Sequence, residues 1–258
     1  MAPLEVLGLV AAACAAGAIN AVAGGGTLVT FPTLLLFGTG PRIANATSTI
    51  ALFLGTAGGV AGYRRQLAAI RPWLARLVPV SLLGGGLGSW LLIRTSDQTF
   101  TKLVPFLILF ATLLFIGQGA LRALAGRRGG APAGPARGAV WAAVAFQFAV
   151  AVYGGYFGAG IGILMLASLG LIGFSDIHEM NALKTVLASL INLVASAVFV
   201  LERLIDWPRA GVMTAGAVLG YYLGSHFAQR IPQKRVRQIV TAIGFVLSGV
   251  TFYQAFLK

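Results

Sequence analysis

The chain has 258 residues, of which 58% are hydrophobic and 10% are charged, and its formal net charge is +13. An ordinary soluble domain carries about 25% charged residues, so this composition excludes a typical soluble protein. Long apolar stretches recur along the whole chain and predict an all-α polytopic membrane protein. The basic residues occupy short gaps between these stretches, as in membrane proteins, so nucleic acid is not an expected partner.

Ten apolar segments follow one another, most of them close to the roughly 20 residues that cross a hydrocarbon core of about 30 Å. The second and seventh are shorter, and at about 1.5 Å per residue they reach only about 22–26 Å. We therefore predict about ten membrane segments, with these two broken or re-entrant, and the sequence leaves open whether they cross. The segments span residues 4–22, 24–38, 43–62, 73–93, 103–124, 138–156, 158–174, 182–201, 208–228 and 238–257.

Polar residues repeat at one constant offset along the chain, the offset that carries Gly24 onto Gly160, and this repetition indicates an internal duplication. We call it the repeat offset. Each half has five segments, and this odd number predicts two inverted repeats. We place the first transmembrane repeat at 1–125, a basic cytoplasmic linker at 126–137 and the second repeat at 138–258. The other matched pairs include Gly26 with Gly162, Asn45 with Asn181, Thr49 with Thr185, Ser89 with Ser225 and Arg94 with Arg230.

The gaps after the third, fifth and ninth segments hold 12 of the 19 basic residues. If all ten segments cross, these gaps fall on one side, and the positive-inside rule makes that side cytoplasmic with both termini outside. If the short segments re-enter instead, we expect the gaps to divide between both faces, so the charge pattern favours ten crossings. The residues are Arg64, Arg65, Arg71, Arg76, Arg122, Arg127, Arg128, Arg137, Arg230, Lys234, Arg235 and Arg237.

Two junctions combine glycine-rich helix breaks with polar residues at membrane depth. A helix interrupted in a membrane has backbone N–H groups that lipid cannot satisfy, so the break survives only against protein or a polar cavity. These N–H groups suit an anion, and Asn, Ser and Thr side chains donate to oxyanion oxygens. We therefore predict an anion site between the breaks, to which Lys184 adds positive charge. The candidate residues are Asn20, Gly24, Gly25, Gly26, Thr27, Asn45 and Ser48, then Gly158, Gly160, Asn181, Lys184 and Thr185.

Other interpretations of these residues stay open. The glycines can serve close helix packing, and Lys184 can extend to the cytoplasmic interface. His178 and Glu179 adjoin the eighth segment and are candidates for proton coupling, although wet loop residues are the commoner case. The chain has two histidines, six acidic residues and neither an HExxH nor a CxxC pattern. We therefore expect no catalytic residues, no metal site and no cofactor.

The two junctions resemble the TauE/SafE family of sulfite and organosulfonate exporters. The first reads GAINAVAGGGTLVTFPTLLLFGTGPRIANATSTIA, residues 17–51, with an Asn before the glycine-rich break and a later small-residue and Thr motif. The second reads YGGYFGAGIGILMLASLGLIGFSDIHEMNALKTVLASLINLVAS, residues 153–196, and the resemblance covers nearly the whole chain. The second break carries Tyr156 where the first has Asn20, so the two half-sites are not expected to be equivalent.

This resemblance implies a multi-pass permease of the bacterial inner membrane that exports small sulfur-containing anions such as sulfite, sulfoacetate or related organosulfonates. Its partners are then the anion and the lipid bilayer, and the inverted halves indicate alternating access around the two breaks. An importer or channel for another oxyanion, such as sulfate or thiosulfate, is the alternative, and a membrane-embedded enzyme is less favoured. The exact anion, the direction, the coupling ion and the oligomeric state stay undetermined, with a homodimer as one option.

Overall fold

The computed structural model describes residues 1–22, 24–62, 67–128, 137–171, 174, 176–227 and 233–256. These residues form ten α-helices and no β-strand, which confirms the all-helical class. Each helix lies on one predicted apolar segment, with every boundary within six residues of the expected one. Arg64, Arg65, Arg230 and most of the predicted linker lie outside the described residues. The helices are α1 Pro3–Val22, α2 Thr27–Leu36, α3 Pro41–Gly62, α4 Leu67–Arg94, α5 Asp97–Arg128, α6 Arg137–Tyr156, α7 Ile161–Leu171, α8 Ile177–Leu201, α9 Trp207–Phe227 and α10 Gln233–Phe256.

Four of the described helices, α1, α4, α5 and α8, are long and apolar enough to cross a membrane. Shorter apolar helical stretches cover Thr27–Leu36, Val140–Tyr156 and Thr241–Phe256. Large apolar side chains also point outward, and Leu4 and Trp141 are each more than 70% exposed. Such a surface suits lipid rather than water, so the helices have the character of a multi-pass membrane protein.

The short helix α2 folds back along α1. Gly26 lies beside Ala16, because a Cβ added at Gly26 would be 2.5 Å from the Ala16 carbonyl oxygen. Further along the chain, the Phe37 ring packs against Gly8, near the start of α1. The ten residues of α2 rise about 15 Å, which is half of a hydrocarbon core. Helices α1 and α2 therefore form a hairpin that enters and leaves at the same end of the molecule.

Helices α6 and α7 form a second hairpin of the same kind. The Ile161 side chain packs beside Gly154, and across the turn the Tyr153 hydroxyl donates to the Ala159 carbonyl at 2.7 Å. With 11 residues, α7 is also shorter than the roughly 20 residues that a crossing requires. The second segment therefore turns back, and α7, which is as short and packs on α6, forms the returning arm of the second hairpin.

A polar cluster marks the end of the molecule where α1 begins and α2 ends, which we call the first end. Arg209, at the start of α9, contacts the Glu5 carboxylate at 2.7 Å and donates to the Phe37 carbonyl at 3.3 Å. Arg42, at the start of α3, contacts Asp97, at the start of α5, at 3.4 Å. Helices α3, α5 and α9 therefore all begin at the first end and run toward the opposite end.

Helices α3, α5 and α9, which precede the three basic gaps, all end at the opposite end. Short segments that turn back as hairpins therefore do not by themselves require these gaps to divide between two faces, as the sequence led us to expect. The physical reason is that a hairpin returns the chain to the end from which it entered, so the two arms together leave the sidedness unchanged. One-sided basic charge is consequently compatible with short helices that do not cross.

Glycine residues allow helices from the two halves of the chain to pack closely against each other. Helix α1 packs along α9, and α4 packs along α6. Gly220 of α9 faces the Cys14 backbone of α1, where any side chain at position 220 would overlap the Cys14 carbonyl. In the other pair, Gly84 of α4 faces Ala151 of α6, so a packing role for this glycine is confirmed. Small residues thus let the backbones come into contact, as in membrane helix packing generally.

Replacing Gly220 by Leu is expected to destabilise the protein by about 1–3 kcal/mol or more, because the added side chain overlaps the α1 backbone. Gly211→Ala on the same helix is the control, since nothing lies within 4 Å of the Cβ that it adds. The thermal unfolding midpoint in detergent should fall for Gly220→Leu and hold or rise for Gly211→Ala, because Ala favours a helix by up to about 1 kcal/mol. Equal midpoints would contradict the close α1–α9 packing.

Candidate functional site

The turns of the two hairpins meet inside the molecule, and a cavity of about 70 Å³ lies at their meeting point. Gly24 of the first turn is in backbone contact with Gly162 of α7, since a Cβ at Gly24 would be 3.4 Å from the Gly162 Cα. Helices α3, α8 and α9 supply the other walls. The cavity is thus shared by both halves of the chain.

Seven of the twelve predicted binding residues line this cavity, and they come from both breaks and from α8. Gly26, Asn45, Ser48, Gly160 and Asn181, although described, are outside its lining. The seven that line it are Asn20, Gly24, Gly25, Thr27, Gly158, Lys184 and Thr185.

The first turn is held by the Asn20 side chain. Gly24 and Gly25 have φ angles of 75° and 117°, a backbone region that favours glycine, and the Gly24 N–H donates to the Ile19 carbonyl at 3.1 Å. The Asn20 Oδ1 then accepts the N–H groups of Gly25 at 3.0 Å and Gly26 at 2.8 Å. Asn20 therefore caps the start of α2. Because the N–H groups of Gly25 and Gly26 already donate to Asn20, they are not available to a ligand. Its Nδ2 is the group that Asn20 can offer to a ligand.

The second turn has the same backbone geometry as the first, but a different side chain holds it. Gly158 and Gly160 have φ angles of 79° and 81°, and the Gly158 N–H donates to the Tyr153 carbonyl at 3.2 Å. Gly24 therefore matches Gly158 and not Gly160. The counterpart of Asn20 is then Gly154 rather than Tyr156, which corrects the sequence comparison. Tyr153, through its hydroxyl, fastens this turn instead.

Lys184 brings a cationic side chain to the cavity. It lies in the second turn of α8 and is only 5% exposed. Its aliphatic stem crosses Gly162, where an added Cβ would be 3.2 Å from the Lys184 Cδ. The absence of a side chain at Gly162 thus makes room for the lysine. Among the described residues that line the cavity there is no Asp or Glu, so its charged lining is positive.

Two of the predicted residues fasten helices instead of lining the cavity. Asn45 is buried, and its Nδ2 donates to the Tyr156 carbonyl at the end of α6, 3.0 Å away. The Ser48 hydroxyl lies 2.6 Å from that of Thr30, which joins α3 to α2. Both bonds tie α3 to a hairpin, so these side chains fix the position of α3, which carries the lining residues Thr49 and Thr56.

The two candidates for proton coupling lie at the start of α8, away from the cavity. The backbone N–H groups of His178 and Glu179 donate to the Asp176 carboxylate at 2.7 and 3.4 Å. Asp176 therefore caps this helix. Neither candidate belongs to the cavity lining.

Several lining residues were absent from the predicted set. Their signal in the sequence is helical spacing: Thr49 and Thr56 lie two helical turns apart, as do Thr185 and Asn192. The repeat offset also pairs Thr49 with Thr185 and Thr56 with Asn192. The further polar lining residues are Thr49, Thr56, Ser189, Asn192 and Tyr221.

This arrangement can bind a small anion. Lys184 supplies positive charge, while Asn20, Thr27 and Thr185 supply amide and hydroxyl donors for oxyanion oxygens. Coulombic attraction is stronger at a buried site than in water, because the effective dielectric constant is lower.

Comparison with known proteins gives a consistent assignment. Residues 9–251 match the family described as Sulfite exporter TauE/SafE. The chain is 29% identical to a probable membrane transporter protein of Haemophilus influenzae, covering 91% of this chain and 89% of that protein. It is 25% identical to the probable membrane transporter protein YfcA of Escherichia coli K12, covering 99% and 92%.

The probable membrane transporter protein ORF9 of a Sinorhizobium species is 24% identical, covering 93% of this chain and 89% of that protein. No solved structure is significantly similar to the chain. The resemblance seen at the two junctions is confirmed, because the family match extends over nearly the whole sequence. The chain belongs to the Sulfite exporter TauE/SafE family of membrane transporters.

Proposed function

We propose that this membrane transporter exports small sulfur-containing anions, such as sulfite, sulfoacetate or related organosulfonates, through the cavity between the two hairpin turns. The observation that carries the proposal is the cavity lining, in which Lys184 is accompanied by amide and hydroxyl donors and by no described carboxylate. The description of the family as sulfite exporters supports the choice of anion.

The size of the cavity supports a small substrate. Its volume is about 70 Å³, and a single water occupies about 10–15 Å³ of such a cavity. Sites for drug-sized ligands have about 300–1,000 Å³. A few waters or one compact oxyanion therefore fit the cavity, whereas a nucleotide or a sugar does not.

We further propose that the two halves are inverted repeats that alternate around this cavity. The helix contacts of the two halves correspond. Helix α1 packs on α9 as its counterpart α6 packs on α4. Likewise, α3 packs on α9 as its counterpart α8 packs on α4. The two hairpins enter from opposite ends, and their turns meet at the cavity. Broken helices from two inverted repeats commonly form the central site of a secondary transporter.

The orientation that we propose has the first end outside the cell. Helices α3, α5 and α9, which the basic gaps follow, end at the opposite end, and the positive-inside rule places such basic loops in the cytoplasm. The protein then belongs in the bacterial inner membrane. An anion leaving a cell that is negative inside gains about 2.3 kcal/mol per charge for each 100 mV. We therefore propose uniport, in which neither His178 nor Glu179 carries a coupled proton.

The experiment that tests this function combines ligand binding and flux. Thermal shifts of the purified protein are measured with sulfite, sulfoacetate, taurine, sulfate, thiosulfate and phosphate. A ligand at 100 times its Kd should add about 2.7 kcal/mol to the stability of the folded state. We expect sulfite or sulfoacetate to give the largest shift. A larger shift with phosphate, or none with any anion, would contradict the proposal.

Flux in proteoliposomes separates the mechanisms. We expect transport of unchanged anion under an imposed voltage without a pH gradient. A requirement for the pH gradient would implicate proton coupling and would make His178 and Glu179 the first positions to test. A strong preference for sulfate or thiosulfate would favour the alternative of an importer or channel, and chemical conversion of the anion would indicate an enzyme.

Replacing Lys184 by Met is expected to weaken anion binding about tenfold or more, because a hydrogen bond to a charged group contributes about 1.5–3 kcal/mol. Lys184→Arg keeps the charge and should retain part of the binding. Lys102→Met is the control, since Lys102 is an exposed lysine on α5. Binding is read from the concentration dependence of the thermal shift. If Lys184→Met and Lys102→Met bind the anion alike, Lys184 does not belong to the site.

Two substitutions of Asn20 separate its role in holding the turn, through Oδ1, from its role as a donor to the anion, through Nδ2. Asn20→Asp keeps an oxygen for the N–H groups of Gly25 and Gly26, and hydrogen bonds to a carboxylate are stronger than those to an amide oxygen. We expect its unfolding midpoint to stay near that of the wild type. Anion binding should fall about tenfold or more, because like charges brought together cost several kcal/mol.

Asn20→Leu is the companion variant, because it removes both the cap and the donor. We expect it to lose about 1 kcal/mol of stability as well as anion binding. Wild-type anion affinity in Asn20→Asp would place the anion away from this turn.

A further inference from the structure

A row of side chains on one face of α3 connects the cavity with the first end. Arg42, Asn45, Thr49, Leu52 and Thr56 follow one another at intervals of three and four positions, which places them on one helix face. Thr49, Leu52 and Thr56 line the cavity, whereas Arg42 lies in the first turn of α3. We call these five residues the α3 row.

Buried polar atoms without a hydrogen-bond partner are concentrated at the first-end part of this row. The described residues hold four such side-chain atoms, and three of them are Thr39 Oγ1, Arg42 Nε and Asn45 Oδ1. Asn45 is 1% exposed, and its Nδ2 is engaged by the Tyr156 carbonyl, so its oxygen remains unpaired. Native structures rarely leave such atoms unpaired. Two of these atoms belong to the row, and Thr39 lies three residues before Arg42, so this stretch of the chain offers unpaired groups to a polar species.

Neighbouring helices add further polar groups beside the row. The Arg42 guanidinium donates to the Ile93 carbonyl at 3.0 Å and contacts Asp97, whose side chain is 76% exposed, at 3.4 Å. The Tyr156 hydroxyl lies 3.3 Å from the Thr95 hydroxyl. The Arg42 side chain itself is 18% exposed. Arg42 therefore stands between the interior and the surface of the first end.

Helix α8 carries a matching row that starts at the opposite end. The repeat offset takes every member of the α3 row to a residue of α8, and Thr185, Ala188 and Asn192 of this second row also line the cavity. One row therefore leads from the cavity toward each end of the molecule. The α8 row consists of His178, Asn181, Thr185, Ala188 and Asn192.

A buried aromatic pair lies next to the cavity lining in the chain. Phe31 lies one turn beyond the lining residue Thr27, on the arm of the hairpin that runs to the first end. Its ring meets Phe157 edge to face at 5.3 Å, and both side chains are fully or almost fully buried.

We propose that the α3 row is the route of the transported anion between the cavity and the first end, and that Arg42 is an anion-contact site on this route. The inference rests on the proposed transport function. The Arg42 Nε–H is a donor for an oxyanion oxygen, whereas Asn45 Oδ1 accepts from the water that hydrates the anion. The route enters the cavity at Thr49, whose hydroxyl donates to the Asn45 carbonyl at 2.8 Å.

The route is tested by thiol labelling of the full chain in a Cys14→Ala background, because Cys14 is the single cysteine. Membrane-impermeant methanethiosulfonates, one negatively and one positively charged, are added from the first end. We expect Asn45→Cys to react with the negative reagent about tenfold or more faster than Ala44→Cys. Ala44 is the control because it is 0% exposed and lies off the row. Thr49→Cys is the second reporter if Asn45→Cys does not fold.

The role of Arg42 is tested on the same reporter. Arg42→Gln should lower the ratio of the negative to the positive labelling rate about tenfold, because the local field attracts anions. Arg94→Gln, also at the first end and stacked on Trp90 at 5.4 Å, should leave the ratio unchanged. Equal labelling of Asn45→Cys and Ala44→Cys would overturn the route, and an unchanged ratio in Arg42→Gln would overturn the anion contact.

Failure of the route and failure of the proposed function are distinguishable. Labelling needs no substrate, so it decides the route by itself. A wild-type protein that neither binds nor transports any anion, yet labels as described, would count against the anion specificity alone. A protein that transports sulfite but does not label at positions 45 and 49 would count against the route alone.

Discussion

The fold depends on one constraint: a helix that is interrupted within an apolar environment must find partners for the backbone groups that the interruption frees. Asn20 meets this requirement in the first turn by accepting the N–H groups of Gly25 and Gly26. In the second turn, the Tyr153 hydroxyl bonds the Ala159 carbonyl. Because the turns are satisfied internally, each hairpin can place its tip against the other hairpin and leave a polar cavity where they touch. Glycines at the α1–α9 and α4–α6 contacts then bring the surrounding helices close enough to enclose it.

The two halves of the chain contribute different chemistry to the cavity. At the repeat offset, Lys184 of α8 corresponds to Ser48 of α3. Ser48 is bonded to Thr30 behind the cavity, whereas the Lys184 stem passes over Gly162 and reaches the lining. Positive charge therefore comes from one half, and the amide of Asn20 comes from the other. A site with one cation and several neutral donors can hold an anion without binding it so tightly that release becomes slow, which suits a carrier.

Much of the fold follows from the sequence, because apolar length and helical period fix where helices begin and end. The hairpins could not be predicted from the sequence, because an apolar run as short as the second or seventh segment is compatible either with a broken crossing or with a return to the same side. Asn20, Thr27, Lys184 and Thr185 were predictable as lining residues from their position at the breaks. Asn45 and Ser48 were also predicted to bind the anion, but they lie outside the cavity lining. Only the packed helices show whether a polar side chain faces a cavity or a neighbouring helix. The glycine-rich breaks also misled the repeat comparison, since a glycine matches any other glycine. Their φ angles align Gly24 with Gly158.

The central claim, an oxyanion held between the two hairpin turns, is tested most directly by locating a heavy analogue of sulfite in the protein. Selenite has the same pyramidal arrangement of three oxygens as sulfite, and selenium gives an anomalous scattering signal. An experimental structure with selenite should show one selenium peak in the cavity, within hydrogen-bond reach of Lys184 Nζ and Asn20 Nδ2, and Lys184→Met should lower the occupancy of that peak at the same selenite concentration. A selenium peak elsewhere in the protein, with the cavity empty at saturating selenite, would contradict the account.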